Sequence, residues 1–83
     1  MEILVSVEAH EKFDRLPKTI KARVAGVYER LQKWPDVSGA KPLRHSLRNH
    51  FRIRTGDWRI VFTVEGDTLR IVDIDHRKDV YED

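Results

Sequence analysis

The sequence predicts a small α+β domain with the element order β-α-α-β-β-β, in which a mainly antiparallel sheet carries two helices packed on one face. Apolar residues recur at helical spacing through the first half of the chain, and two glycine-aspartate pairs divide the second half into short β-type runs. A chain of 83 residues has surface enough for one core and too little for two. We therefore interpret residues 1–83 as a single domain.

The first half of the chain predicts one strand followed by two helices. Residues 2–7 are short and rich in apolar and β-branched side chains, which favours a strand. Ser6 is a candidate N-cap, because its side-chain oxygen can accept from the free amides of a first helical turn. That helix ends near Pro17, and a second, amphipathic helix is predicted from Lys18 to Trp34.

The second half predicts a long loop followed by three strands. The loop runs from Pro35 to His50 and contains a possible short edge strand around Leu43. The strands cover residues 51–55, 58–64 and 69–74. Gly56-Asp57 and Gly66-Asp67 separate them, and such pairs are typical of tight hairpin turns.

Composition excludes several classes of protein. The chain has no cysteine, so disulfides, thiolate metal sites and a cysteine nucleophile are excluded. No segment approaches the ~20 apolar residues of a membrane span. The N-terminal apolar run is short and follows an acidic second residue, which does not fit a signal peptide. We expect a cytoplasmic protein without a membrane partner.

Positive charge is concentrated in the middle of the chain, although the formal net charge is only +2. Residues 1–14 hold one lysine against four acidic residues, and residues 60–83 hold three basic against seven acidic residues. Residues 15–59 hold twelve basic against three acidic residues. A localised basic surface is typical of proteins that bind a polyanion. Its most informative members are all arginine: Arg44, Arg48, Arg52, Arg54 and Arg59.

The first hairpin predicts a cluster of arginines on one face of the sheet. A two-residue loop at Gly56-Asp57 pairs Arg54 with Arg59 and places Arg52 on the same face. The alternate positions form an apolar face suited to cover by the helices: Phe51, Ile53, Trp58, Ile60 and Phe62. Opposed like charges cost of order 0.2–1 kcal/mol. Either an anion lies between the arginines, or they extend to solvent or pair with the carboxylates at positions 73 and 75.

The last strand requires an irregularity. Continuing the register of the second hairpin would place Asp73, Asp75 and Arg77 on the helix-covered face, where unpaired charges are costly. We therefore expect a bulge or a strand end between Asp73 and His76 that turns Arg77 toward Arg59. We also considered Asp73, Asp75 and His76 as metal ligands. No further ligand lies at a recognisable spacing, so we predict no metal and no cofactor.

Three segments resemble a known family: LPKTIKARVAGVYERLQKWP, GAKPLRH and FRIRTGDWRIVFTVEGDTLRIVDIDHRKDVY. They are similar to the RelE/ParE superfamily of toxins from bacterial and archaeal toxin–antitoxin pairs, and most like its RelE branch. The resemblance covers nearly the whole chain. It is most specific from Phe51 to Tyr81, which contains Arg-x-Gly-Asp-aromatic-Arg and a closing His-Arg-x-x-x-Tyr. It implies the β-α-α-β-β-β fold already predicted from the residues.

RelE-like toxins cleave mRNA in the ribosomal A site, so the resemblance implies a metal-independent endoribonuclease. The predicted catalytic residues are Arg59, Arg77, Tyr81, Arg54 and His76. The predicted RNA-binding residues are Arg44, Arg48, Arg52 and Lys78. Arginine stays charged and binds phosphate oxygens in bidentate geometry, which suits it to this role. The candidates for the general base are Tyr81 and His76. We expect Arg59 and Arg77 to be solvent-accessible, so that alanine substitution costs the fold little.

The resemblance also implies a protein partner. A ribosome-directed nuclease would harm its own host, so a RelB-like antitoxin is expected alongside it, together with mRNA in the A site as substrate. Two alternatives are a ParE-like inhibitor of DNA gyrase that catalyses no reaction, and an inactive RNA-binding relative.

Overall fold

The computed structural model describes residues 1–43 and 49–76. They form the predicted elements together with the short edge strand. The elements are β1 (Glu2–Val5), α1 (Val7–Asp14), α2 (Lys18–Leu31), β2 (Lys41–Pro42), β3 (His50–Thr55), β4 (Trp58–Glu65) and β5 (Thr68–His76). The five strands form one sheet in the order β1-β5-β4-β3-β2. β1 pairs parallel to β5 and the other pairs are antiparallel, which confirms the predicted fold class.

The two helices begin where the sequence predicts. Ser6 caps α1, because its side-chain oxygen accepts from the amide of Ala9 at 3.1 Å. The same hydroxyl donates to the carbonyl of Val72 at 3.2 Å, which ties the start of α1 to β5. α2 ends at Leu31 rather than at Trp34. Neither described helix has the length and apolar character needed to cross a membrane.

After the early end of α2, the ring of Trp34 packs against the core. A turn in which the Trp34 amide donates to the Leu31 carbonyl at 3.0 Å follows the helix. The Trp34 ring then packs edge-on against Phe51 and Phe62, with centroids 4.8 Å and 5.3 Å away. Pro35 follows directly, and a proline disfavours helical backbone at the preceding residue, which accounts for a helix that ends before Trp34.

The helix-covered face of the sheet is apolar, as predicted. Ile53, Ile60 and Phe62 are fully buried, while Phe51 and Trp58 are partly buried against them. The remaining buried apolar residues come from both helices, from the connection between them and from β5: Ala9, Leu16, Val24, Val27, Leu31, Leu69, Ile71 and Ile74. The core therefore lies between this face and the two helices.

Both hairpin turns have the predicted chemistry. Gly56 and Gly66 occupy the first loop positions with φ of 59° and 57°, a region that disfavours side chains with a Cβ. The turn at Gly56 sets the predicted register of β3 against β4, including Arg54 opposite Arg59, and the pairing extends one residue further, to His50 opposite Thr63.

The expected irregularity in β5 is present, but it lies earlier than predicted. The second hairpin keeps its regular register from Thr68 to Ile71, and Val72 is then an extra residue, so that Asp73 pairs with Val61. The predicted bulge between Asp73 and His76 is therefore wrong in position, and the alternative of a strand end before His76 is also wrong, because β5 runs through His76. An extra residue at 72 lets Ile71 and Ile74 both enter the core, and their burial favours this position over a later one. Asp73 and Asp75 consequently leave the helix-covered face.

Candidate functional site

The face of the sheet opposite the helices carries the predicted arginines, and we call it the arginine face. Arg54 on β3, Arg59 on β4 and Asp75 on β5 are register partners and lie side by side across three strands. Directly paired residues project from the same face of a sheet. The structure thus brings together two predicted catalytic residues, and it adds a carboxylate next to Arg59.

A second row of side chains crosses the same face. Arg52 on β3 pairs with Lys41 on β2 and with Val61 on β4, which in turn pairs with Asp73. Lys41 therefore extends the basic surface to the edge of the sheet. Lys41 is not among the predicted site residues, because only the pairing of the two-residue strand β2 with β3 places it beside Arg52.

Arg59 is only 2% exposed, which contradicts the expectation of a solvent-accessible side chain. β4 is the central strand of the five, so Arg59 has a neighbouring strand on each side. Arg54 is exposed and Arg52 is half-buried. Exclusion of water strengthens the attraction between a fixed cation and a phosphate, so burial suits Arg59 to stabilising developing negative charge.

Asp73 and Asp75 form ion pairs with Lys12 of α1. The Lys12 ammonium lies 2.6 Å from one Asp73 carboxylate oxygen and 2.7 Å from one Asp75 carboxylate oxygen. One expectation from the sequence is that these carboxylates pair with the arginines. Within residues 1–43 and 49–76, their ion pairs are instead with this lysine.

The pKa values of Lys12, Asp73 and Asp75 are all shifted from their ordinary values. Hydrogen bonds to Asp73 and Asp75 raise the pKa of Lys12. Desolvation raises the pKa of Asp73, but hydrogen bonds with Asp75 and Lys12 outweigh it, so the pKa of Asp73 is lowered. Desolvation and the hydrogen bond with Asp73 raise the pKa of Asp75, against the opposing effect of Lys12. The side-chain exposures, 38% for Asp73 and 20% for Asp75, agree with this order.

His76 lies at the end of β5 on the helix-covered side. It pairs in register with Trp58, and the two rings meet edge-on with centroids 5.1 Å apart. Both rings line a cleft of about 220 Å³ together with Lys12 and Arg15. Because Arg59 projects from the opposite face, the structure does not bring His76 and Arg59 together.

The other predicted site residues lie outside the described residues. They are Arg44, Arg48, Arg77, Lys78 and Tyr81. Their roles stay predictions, as does the turn of Arg77 toward Arg59. No group of three or more histidine or acidic side chains suited to hold a metal ion occurs in the part of the chain that the structure describes.

This chain is similar to known proteins in both sequence and fold. The sequence profile of the family described as "ParE toxin of type II toxin-antitoxin system, parDE" matches residues 3–81. Toxin RelE3 of Methanocaldococcus jannaschii is 27% identical over an alignment 85 residues long, which covers 99% of this chain and 97% of that toxin. Toxin RelG of Mycobacterium tuberculosis is 33% identical over 67 residues, which cover 78% and 76% of the two chains.

A solved structure extends this similarity to three dimensions. A chain of the toxin–antitoxin complex RelBE2 from M. tuberculosis superposes with a TM-score of 0.80 and 28% identity, over 94% of this chain and 92% of that one. The sequence, the fold and the basic face agree on a type II toxin. The chain belongs to the RelE/ParE superfamily of toxins from type II toxin–antitoxin systems.

Proposed function

We propose that this toxin is an endoribonuclease that cleaves mRNA in the ribosomal A site and thereby stops translation. The observation that carries the proposal is the direct pairing of Arg54 with Arg59, with Arg52 on the same face. Opposed guanidinium groups repel each other, whereas a phosphate bound between them would be attracted to both. The named relatives RelE3 and RelG point to the same branch of the superfamily.

The chemistry is attack of a ribose 2′-hydroxyl on the adjacent phosphorus, with departure of the 5′-oxygen. This reaction needs a base, an acid at the leaving oxygen and positive charge for the phosphorane. In the proposal, Arg52 and Arg54 hold the phosphate, and the buried Arg59 stabilises the charge that develops on it. The mechanism assigns no step to a metal ion, because the arginines supply the positive charge.

The proton transfers belong to residues near the C-terminus. Arg77 follows the end of β5 and is proposed to act at the leaving oxygen. Tyr81 and His76 are the two candidate bases. Since His76 packs against Trp58 on the helix-covered side, its position favours Tyr81 as the base.

We propose that an acidic antitoxin of the RelB type neutralises the toxin. Structural neighbours from M. tuberculosis and Methanococcus jannaschii are complexes of a toxin with its antitoxin. A segment with carboxylates and apolar anchors would complement the arginine face of this chain. Co-expression with the adjacent open reading frame is expected to rescue growth and to yield a complex. Absence of both results would contradict the antitoxin proposal.

A translation extract tests the enzymatic proposal. The purified toxin is expected to cut ribosome-bound mRNA at codons, with no cleavage of the same mRNA free of ribosomes. Arg59→Gln removes the charge and should lower the cleavage rate about 10²- to 10³-fold, the range for loss of one group that stabilises a transition state. Because Arg59 is buried, the circular dichroism spectrum and thermal unfolding of the variant must be measured alongside.

Arg70→Gln is the matched control. Arg70 is an exposed arginine of β5 that pairs with Thr63 in a different row of the arginine face, so cleavage should stay close to the wild-type rate. If the cleavage rate falls equally in Arg59→Gln and Arg70→Gln, the arginine face contributes only non-specific positive charge. Loss of DNA supercoiling by gyrase without mRNA cleavage would contradict the nuclease and support the gyrase inhibitor.

A further inference from the structure

The ion pairs of Lys12 join α1 to the outer edge of β5. β1 pairs with β5 only as far as Ile71, opposite Val5. Beyond that point α1 packs along β5, and Lys12 reaches Asp73 and Asp75 across 61 and 63 positions of sequence. Lys12 therefore binds the two carboxylates at the outer edge of β5, on the opposite side of that strand from β4 and its Arg59.

The same two carboxylates lie within reach of the arginines. Asp75 pairs directly with Arg59, and such partners have Cβ atoms about 4.5–5.5 Å apart. Asp73 is separated from Arg52 only by Val61. Arginine and carboxylate form strong bidentate pairs, and an arginine held in such a pair is less available to a phosphate. Binding of these two carboxylates by Lys12 thus removes them as competitors of an anion for the arginines.

We propose that Lys12 is a positioning residue for the phosphate-binding site, which holds Asp73 and Asp75 at the edge of the sheet and so keeps them from neutralising Arg59 and Arg52. The inference deepens the proposed function and rests on it for the identity of the anion. It assigns a role to a residue of α1 that is not among the predicted catalytic or RNA-binding residues. The hydrogen bonds to Asp73 and Asp75 raise the pKa of Lys12, which agrees with a lysine that is held by both carboxylates.

The test measures binding of a labelled 2′-O-methyl RNA oligonucleotide, which presents phosphates but lacks the nucleophile for cleavage. Lys12→Met keeps a long helix-forming side chain and removes the charge, so the freed carboxylates are expected to pair with the arginines. Loss of one phosphate contact should weaken binding about fivefold at 0.1 M salt and lower the salt slope by about 0.7. Lys12→Arg should bind like the wild type.

Restoration separates this role from a purely structural one. Adding Asp73→Asn and Asp75→Asn to Lys12→Met removes the competing carboxylates, so RNA binding should return although the link between α1 and β5 is still missing. A triple variant with Glu29→Gln and Asp36→Asn in place of these two has the same net charge. Both of those acidic residues are exposed and lie on α2 and just after it, so this control should stay weak.

Each outcome decides the proposal. Wild-type binding by Lys12→Met, no restoration by the two asparagines, or equal restoration in the charge-matched control would overturn it. If Lys12→Met does not fold, two other variants test the same competition. Lys12→Arg keeps the charge, and the Asp73→Asn/Asp75→Asn double variant removes both carboxylates. Both should bind RNA at least as well as the wild type. Absence of RNA binding by the wild type would also overturn it. The proposed nuclease activity is tested separately, by codon-specific cleavage in the translation extract. Its failure can therefore be distinguished from failure of the proposed role of Lys12.

Discussion

The two faces of the sheet are made by alternate residues of the same strands, yet they depend on different interactions. On the helix-covered face, Ile60 and Phe62 are buried by contacts that need only apolar neighbours of suitable volume. On the arginine face, Arg59 is equally buried, but its environment depends on which charged groups stand in the adjacent strands. Burial alone therefore does not distinguish the helix-covered face from the arginine face; the charged neighbours do.

The largest expected effect is on the helix-covered face. Phe62→Ala removes a fully buried ring that stacks against Phe51 and meets Trp34, so we expect a loss of about 3–5 kcal/mol in the free energy of unfolding. Val61→Ala, the next residue on β4, lies half-buried on the arginine face and should cost about 1 kcal/mol or less. Urea denaturation of both variants measures the contrast. Similar losses would mean that the two faces are packed alike.

A smaller effect is expected where α1 meets the bulge. Ser6→Ala removes the cap of Ala9 and the hydrogen bond to the Val72 carbonyl, so it should destabilise the domain by about 1–2 kcal/mol. Ser6→Thr retains the hydroxyl and should restore most of this loss. If alanine is neutral in thermal unfolding, the hydroxyl fixes neither the helix start nor the bulge.

The lysine-linked carboxylates should respond to pH in opposite senses. The folded pKa of Asp73 is lowered, so its contribution is present above its unfolded pKa near 3.8 and is lost as the pH falls through the lower folded value. The folded pKa of Asp75 is raised, so ionisation in the folded state costs stability as the pH rises above 3.8. Asp73→Asn should therefore lower stability at pH 7 relative to Asp75→Asn, and the difference should shrink toward pH 3. If Asp75→Asn is instead the less stable variant at pH 7, then Asp75 is the carboxylate with the lowered pKa and Asp73 the one with the raised pKa.

The smallest effect concerns a polar atom within the apolar side of the molecule. The Tyr28 hydroxyl is buried and has no hydrogen-bond partner among the described residues, and burial raises the pKa of Tyr28 to about 12. Tyr28→Phe should be neutral or stabilising by up to about 1 kcal/mol at pH 7. Because the unfolded tyrosine ionises near pH 10, the variant should also lose less stability than the wild type above that pH. Destabilisation at pH 7 would indicate a partner for the hydroxyl.

Local sequence accounts for most of the fold. The spacing of apolar residues predicted both helices, Ser6 predicted the start of α1, and the glycines of the two turns predicted the hairpins and the pairing of Arg54 with Arg59. These features depend on residues close together in the chain, where alternation and turn chemistry leave few choices.

The environment of the site depended on contacts that are distant in sequence. The bulge at Val72 is fixed by burial of Ile71 and Ile74 beneath helices from the first half of the chain. Lys12 meets Asp73 only because α1 lies along β5, a placement that no local pattern specifies. The sequence by itself determined that arginines would share a face, because strand alternation is local. The tertiary structure alone decided that Arg59 is buried and that a lysine binds the neighbouring carboxylates, because both follow from how strands and helices far apart in the chain pack together.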